Sequence, residues 1–242
     1  MPAPRIHVDH PLAPGAEFAL GPAATRHVQV LRLQPGDALT LFDGIGGQWA
    51  GEITAMSRRE VRVRTVRFAA LERELPQTVT LAVGMPANER MDALIEKAAE
   101  LGAARIQPLV CERSVLRVAG ERAARKAAHW HAVAAAACEQ CGRNRVPVVA
   151  GPASFDAWLR GLPVDAGARC LLSTGDAMPW PPAGLRDAPE VVVLSGPEGG
   201  FTPAEEAQAR DAGFVACSLG ARVLRADTAP LAALAWIALE SP

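Results

Sequence analysis

Val191-Val192-Val193-Leu194-Ser195-Gly196-Pro197-Glu198-Gly199-Gly200-Phe201-Thr202-Pro203-Ala204-Glu205 decides how this chain is read. A short β-branched run that stops at glycine is a buried strand. The residues after the turn are a helix start, with Thr202 as N-cap, Pro203 at the first helical position and Glu205 closing a capping box. Strand, glycine turn and capped helix together make one unit of an α/β sheet. In such sheets ligands sit at the strand ends, where main-chain N–H groups face outward. A second glycine turn follows closely, Leu219-Gly220-Ala221-Arg222-Val223-Leu224-Arg225, and runs into Ala226-Asp227-Thr228-Ala229. Two such turns, close in sequence, predict one small-molecule pocket built largely from main chain.

Working outward, the same texture extends back to about residue 73. Residues 78–83, 105–110, 168–173 and 214–218 read as buried strands, with Leu172 near the end of the third. Helical spacing marks residues 88–101, where Met91, Leu94, Ile95, Ala98 and Leu101 share one face, and the alanine-rich stretch 120–141. Residues 155–162 and 229–240 supply two more helices. Strands alternating with helices predict an α/β domain with a mostly parallel sheet over residues 73–242.

Residues 1–72 read differently. Segments 38–42, 49–53 and 61–66 are separated by Asp43-Gly44 and Gly46-Gly47, which are hairpin signals. These residues predict a small all-β, barrel-like domain. In its third segment Val61, Val63 and Val66 interleave with Arg62, Arg64 and Arg67, and Arg58 and Arg59 lie just before. One arginine-lined face is expected.

The chain has 242 residues, half of them apolar, and a net charge of −1. The neutral total hides a local excess: residues 105–145 carry eight basic and three acidic side chains. Such a stretch is either a solvated helix face or a nucleic-acid footprint. No apolar run approaches the ~18 residues of a membrane helix. The start, Met1-Pro2-Ala3-Pro4-Arg5, lacks a secretory h-region. Five scattered cysteines show no disulfide pattern, and a reduced cytosolic compartment is expected.

Several motifs are set aside on chemistry. Gly196–Gly200 lacks the Lys-Ser or Lys-Thr of a phosphate loop and does not itself open a helix as a dinucleotide fingerprint does. Cys138-x-x-Cys141 has no second pair to complete a zinc site and lies at the wrong helix end to activate a thiol. Helix packing is the better account, and no metal is expected. Glu139-Gln140-Cys141-Gly142-Arg143-Asn144-Arg145 closes the basic stretch as either a solvated helix end or a substrate-binding cluster.

Taken together, these stretches resemble the RsmE-type 16S rRNA uridine N3-methyltransferases of the SPOUT superfamily, over nearly the whole chain. His27–Leu33 with Gly36-Asp37 and Phe42-Asp43-Gly44 is similar to that family's PUA-like barrel. Glu96–Gly102, Pro108 and Glu112-Arg113-Ser114 are similar to its first α/β unit, and Glu139-Gln140, Arg143 and Pro147 form a further signature. The resemblance implies a PUA-like RNA-binding domain over residues 1–72 and a SPOUT domain with a trefoil knot over residues 73–242. It implies S-adenosylmethionine as methyl donor, held by Leu172, Ser195, Gly196, Glu198, Gly199, Gly200, Leu219, Gly220, Val223, Leu224 and Thr228. It further implies a homodimer, with the apolar final helix (Leu231, Leu234, Trp236, Ile237) contributing to the interface, and 16S rRNA in the cytoplasm as substrate.

For the chemistry, Arg225 and Arg143 are expected at the base, with Glu139 or Asp227 as proton acceptor. Arg5, His27, Arg32, Arg58, Arg59, Arg62, Arg64, Arg113 and Gln140 are expected to contact RNA. Two residues depart from the family pattern. No lysine occurs in Met85-Pro86-Ala87-Asn88, and Asp227 stands where the family often has glutamate. Another RNA nucleoside, a ribose 2′-hydroxyl, or non-catalytic RNA binding on the same fold are the alternatives to uridine N3.

Overall fold

The computed structural model describes residues 3–163 and 167–240, and two compact units divide the chain between them. One unit joins residues 1–74 to residues 135–146; the other joins residues 75–134 to residues 147–242.

The first unit is a five-stranded sheet over its own core. Strands β1 (Arg5–His7), β2 (Glu17–Ala19), β3 (Ala38–Phe42), β4 (Gln48–Met56) and β5 (Val61–Ala69) are ordered β1-β3-β4-β5-β2. Two irregularities in the β4–β5 ladder, at Ala50/Gly51 and Ile53/Ala55, bend the sheet. Ile6, Leu39, Leu41, Trp49, Ile53, Val61 and Val63 pack into its core. The period of two along β5 holds only as far as Thr65. Thr65 is buried, its hydroxyl donating to the carbonyl of Ala13 at 2.6 Å, and Val66 points outward at 60% exposure. Val66 is therefore not one of the inward-facing valines that the alternation suggested.

The all-β reading also missed a helix, α1 (Pro22–Val30). Its signals are Pro22 at N1 and the i, i+3 pair Thr25 and Val28, both buried. One turn of apolar spacing in an otherwise hydrophilic helix is too weak to show in the sequence. At its C-terminal end Arg32 takes the left-handed conformation (φ 59), the one non-glycine described residue with positive φ.

The second unit is a parallel sheet with helices. Its strands are β6 (Thr78–Gly84), β7 (Arg105–Val110), β8 (Val148–Val149), β9 (Ala153–Ser154), β10 (Ala168–Leu172), β11 (Met178–Pro179), β12 (Glu190–Ser195) and β13 (Val215–Ser218). The order is β11-β13-β10-β12-β6-β7-β8, with β9 also on β7, and every ladder is parallel. The helices are α2 (Asn88–Glu100), α3 (Gly120–Cys141), α4 (Phe155–Arg160), α5 (Pro203–Asp211) and α6 (Thr228–Glu240). The last seven residues of α3 belong to the first unit. Central β6 and β12 are buried along almost their whole length, as expected where helices cover both sides of a parallel sheet.

The capping box at α5 forms as the sequence indicates. Glu205 N–H donates to Thr202 Oγ1 at 3.2 Å, and Thr202 N–H donates to Glu205 Oε2 at 2.9 Å. Glu205 Oε1 accepts a further bond from the N–H of Glu112 at 2.8 Å. The cap thus pins the 111–114 loop beside the first glycine turn. Such a cap contributes on the order of 1 kcal/mol.

Candidate functional site

Because β13, β10 and β12 run parallel, their C-terminal ends open side by side. Register places Leu172 opposite Ser195 on one flank and opposite Cys217 on the other. The turns leaving these strands enclose a cavity of about 530 Å³, within the range of small-molecule sites. Leu172, Ser195, Gly196, Glu198, Gly199, Gly200, Leu219, Gly220, Val223, Leu224 and Arg225 all line it. Thr228 is not among the lining residues; it opens α6, and its N–H donates to the carbonyl of Arg225 at 3.0 Å.

The first turn is held from outside. Arg113 Nη1 donates to the carbonyls of Gly199 (3.1 Å) and Phe201 (3.3 Å). A side chain at Gly199 would meet Arg113 Cβ at 3.0 Å. Arg113, expected on RNA, is here a brace for the turn. Glu198 Oε1 accepts from the N–H of Ala87 at 3.1 Å and lies 3.5 Å from Arg90 Nη1. Glu198 therefore ties the turn to the start of α2, and Arg90 brings a cation to the cavity wall.

The second turn is less covered than its apolar letters suggest. Val223 is 83% exposed, and residues 220–222 are exposed too. Gly220 has φ +109 and open space where a side chain would stand. Behind this turn, Asp227 Oδ1 is buried without a hydrogen-bond partner. The cavity thus offers main chain, leucine side chains, the cations of Arg90, Arg222 and Arg225 and the carboxylates of Glu198 and Glu206. That donor set suits a ligand combining a flat polar base, an apolar linker and a charged tail.

Sequence reasoning missed Arg90, Ser173 and Glu206. Ser173 Oγ donates to Glu206 Oε1 at 3.2 Å, and all three line the cavity. The signal for Glu206 was its place in the first turn of α5, one residue past the capping glutamate; nothing local marked Ser173.

Several expected site residues are committed elsewhere. Arg143 is 3% exposed and forks onto Glu74, with Nε to Oε1 at 3.1 Å and Nη2 on Oε2. Glu139 accepts from the N–H of His7 at 2.8 Å and faces His27 Nδ1 at 3.3 Å. Burial pushes the Glu139 carboxyl above the usual carboxylate range, against the opposing pull of the His7 N–H, His27 and Arg5. Both residues belong to the first unit, and neither lines the cavity. Arg5 is likewise an internal tie, donating to Gln48 Oε1, the Arg143 carbonyl and Asn144 Oδ1 at 2.7–2.8 Å. Arg62 pairs with Glu17 and Glu60, and Arg64 with Glu52. Arg32, Arg58, Arg59 and Gln140 are exposed. Cys138 is buried in α3, its thiol donating to the Arg145 carbonyl.

Comparison with known proteins adds the decisive observation. A family model described as "RNA methyltransferase domain" matches residues 73–238, and one described as "RNA methyltransferase PUA domain" matches residues 20–66. The ribosomal RNA small subunit methyltransferase E of Synechocystis is 34% identical over 92% of this chain and 73% of its own length. The Bacillus subtilis protein of that name is 30% identical over 88% and 86%. The chain belongs to the ribosomal RNA small subunit methyltransferase E family.

Solved structures agree with this family assignment. A Legionella pneumophila methyltransferase in complex with bound cofactor SAM superposes with a TM-score of 0.90, at 34% identity over 98% of this chain and 97% of its own. The methyltransferase E of Neisseria gonorrhoeae, bound to S-adenosyl methionine, gives 0.89 at 34% identity, over 97% and 96%. In this member of the family the parallel-sheet domain is the SPOUT methyltransferase fold, and the five-stranded unit is its PUA-like partner.

Proposed function

We propose that this chain methylates N3 of uridine 1498 in 16S rRNA, using S-adenosylmethionine. The observation that carries the reading is the cavity at three parallel strand ends, in a family whose relatives bind S-adenosylmethionine. When bound, S-adenosylmethionine supplies an electrophilic sulfonium methyl. The main chain of Gly196, Gly200 and Gly220, with Leu172, Leu219 and Leu224 walling the slot, would hold it. Arg90, in the cavity wall, would supply a cation for its carboxylate where residues 85–88 carry no lysine.

Uridine N3 carries a weakly acidic proton, and its loss spreads negative charge over the neighbouring carbonyl oxygens. Arg225 stabilises that charge. Asp227, which has an unsatisfied oxygen, accepts the proton. Holding the base in line supplies much of the remaining rate.

The working form is a homodimer with the superfamily's trefoil knot. Helix α6 supports the dimer: it is apolar on every side, with Leu239 85% exposed and Leu231 and Trp236 only half-buried. No helix among the described residues is long and apolar enough to cross a membrane. We place the protein in the cytoplasm with its substrate.

Mass mapping of small-subunit rRNA from a strain lacking the gene tests the reaction. The methyl at N3 of uridine 1498 is expected to vanish and to return on complementation. Its persistence in the deletion strain would contradict the proposed substrate.

A further inference from the structure

The exposed arginines of the PUA-like unit differ in whether a carboxylate neutralises them. Arg62 and Arg64 on β5 are already neutralised: Arg62 lies 3.3 Å from Glu17 and 3.8 Å from Glu60, and Arg64 lies 3.3 Å from Glu52. Arg67, farther along β5, is exposed without such a pair among the described residues. A separate group is Arg26, Arg32, Arg58 and Arg59. All four are exposed, and among the described residues none has a carboxylate partner within ion-pair distance.

These four are brought together by the fold. Arg26 lies on α1 and Arg32 just past its end. Arg58 and Arg59 form the two-residue tip of the β4–β5 hairpin, closed by Ser57 N–H donating to the Glu60 carbonyl at 2.8 Å. Gln29, between Arg26 and Arg32 in sequence, clamps helix to hairpin. Its Nε2 donates to the carbonyls of Ser57 (3.1 Å) and Arg58 (3.3 Å). Ser57 Oγ then accepts from the N–H groups of Arg59 and Glu60, at 3.3 and 3.0 Å, fixing the tip.

One of the positions goes against local preference. A left-handed residue after a helix is normally glycine or asparagine, yet here it is Arg32. Places where a chain breaks a local rule are expected at functional sites, and this departure installs a guanidinium beside the clamp.

We infer that the α1 end and the β4–β5 tip, with Arg26, Arg32, Arg58 and Arg59, form the phosphate-binding edge of this unit, and that the neutralised pair Arg62 and Arg64 does not. The occupant is an RNA backbone, because unpaired forked guanidiniums match phosphate oxygens bidentately. This rests on the proposed rRNA substrate and sharpens where that substrate is held.

The test measures binding to small ribosomal subunits purified from the deletion strain, as a function of salt. One variant carries Arg26→Gln, Arg32→Gly, Arg58→Gln and Arg59→Gln; glycine is chosen at 32 because it suits the left-handed backbone. A second carries Arg62→Gln and Arg64→Gln. Each phosphate contact removed lowers the slope of log affinity against log salt by about 0.7–0.9. The first variant is expected to lose about 3 from the slope, and the second under about 0.5. Thermal melts check that both remain folded. Wild-type binding and methylation, with the first variant's slope unmoved or the second's equally reduced, would overturn this inference alone. Wild-type protein with no salt-dependent affinity for subunits would overturn the proposed substrate, and this edge with it.

Discussion

Gly84→Ala is expected to abolish most binding of S-adenosylmethionine, although Gly84 is not in the cavity wall. Gly84 ends β6 and is fully buried, paired to Leu109 of β7. A methyl group there would lie 2.4 Å from both the nitrogen and Cδ of Pro197, and 2.9 Å from the carbonyl carbon of Gly196. Pro197 N and the Gly196 carbon are backbone, so no side-chain rotation relieves the clash. Strand β6 cannot retreat, being held by β12 on one side and β7 on the other. The 196–197 turn must therefore move, and it is the floor of the cavity. Overpacking of this kind costs ~1–3 kcal/mol of stability. The shift in the turn is expected to weaken donor affinity by at least ~10-fold, or ~1.4 kcal/mol. Calorimetry beside a thermal melt checks both. A folded variant with unchanged affinity would show that the turn does not touch the donor.

The second large effect is Arg143→Ala, with an expected loss of about 3 kcal/mol in stability. Arg143 is the centre of a stitched segment. Its guanidinium forks onto Glu74, its carbonyl accepts from Arg5, and neighbouring Asn144 donates to the Leu71 carbonyl at 2.5 Å. Truncation leaves Glu74, only 22% exposed, without its partner. The figure sits at the low end for buried pairs because water still reaches that carboxylate. Lysine should rescue little, since a single ammonium cannot reproduce the planar fork. Urea unfolding measures the loss, and donor affinity of the folded fraction should stay at the wild-type value. A variant as stable as wild type, but unable to transfer the methyl, would place Arg143 in the chemistry instead.

These two residues show what the sequence displays and what it hides. The two glycine turns were legible because a buried strand followed by glycine can only be a strand-end turn, and three such ends on one parallel sheet must converge. The capping box at Thr202 was legible because its partners are three residues apart. Gly84 was not, because the reason for a glycine there lies 113 residues away, in Pro197. The internal partners of Arg143 and Glu139 were hidden for the same reason. A polar cluster at a helix end looks the same whether it meets substrate or, as here, residues 74 and 7 of the same unit. Charge counted along β5 suggested an RNA face, but glutamates from β2, β4 and the hairpin turn neutralise Arg62 and Arg64. Helix α1 was missed because only two of its nine residues are buried.

The central claim is that the turns after β12 and β13 form one site for S-adenosylmethionine. Isothermal titration of S-adenosylmethionine into the full-length protein tests it most directly. Saturable binding at one site per chain is predicted, lost in Gly84→Ala and kept in Arg143→Ala. No heat of binding to the folded wild-type protein would contradict it.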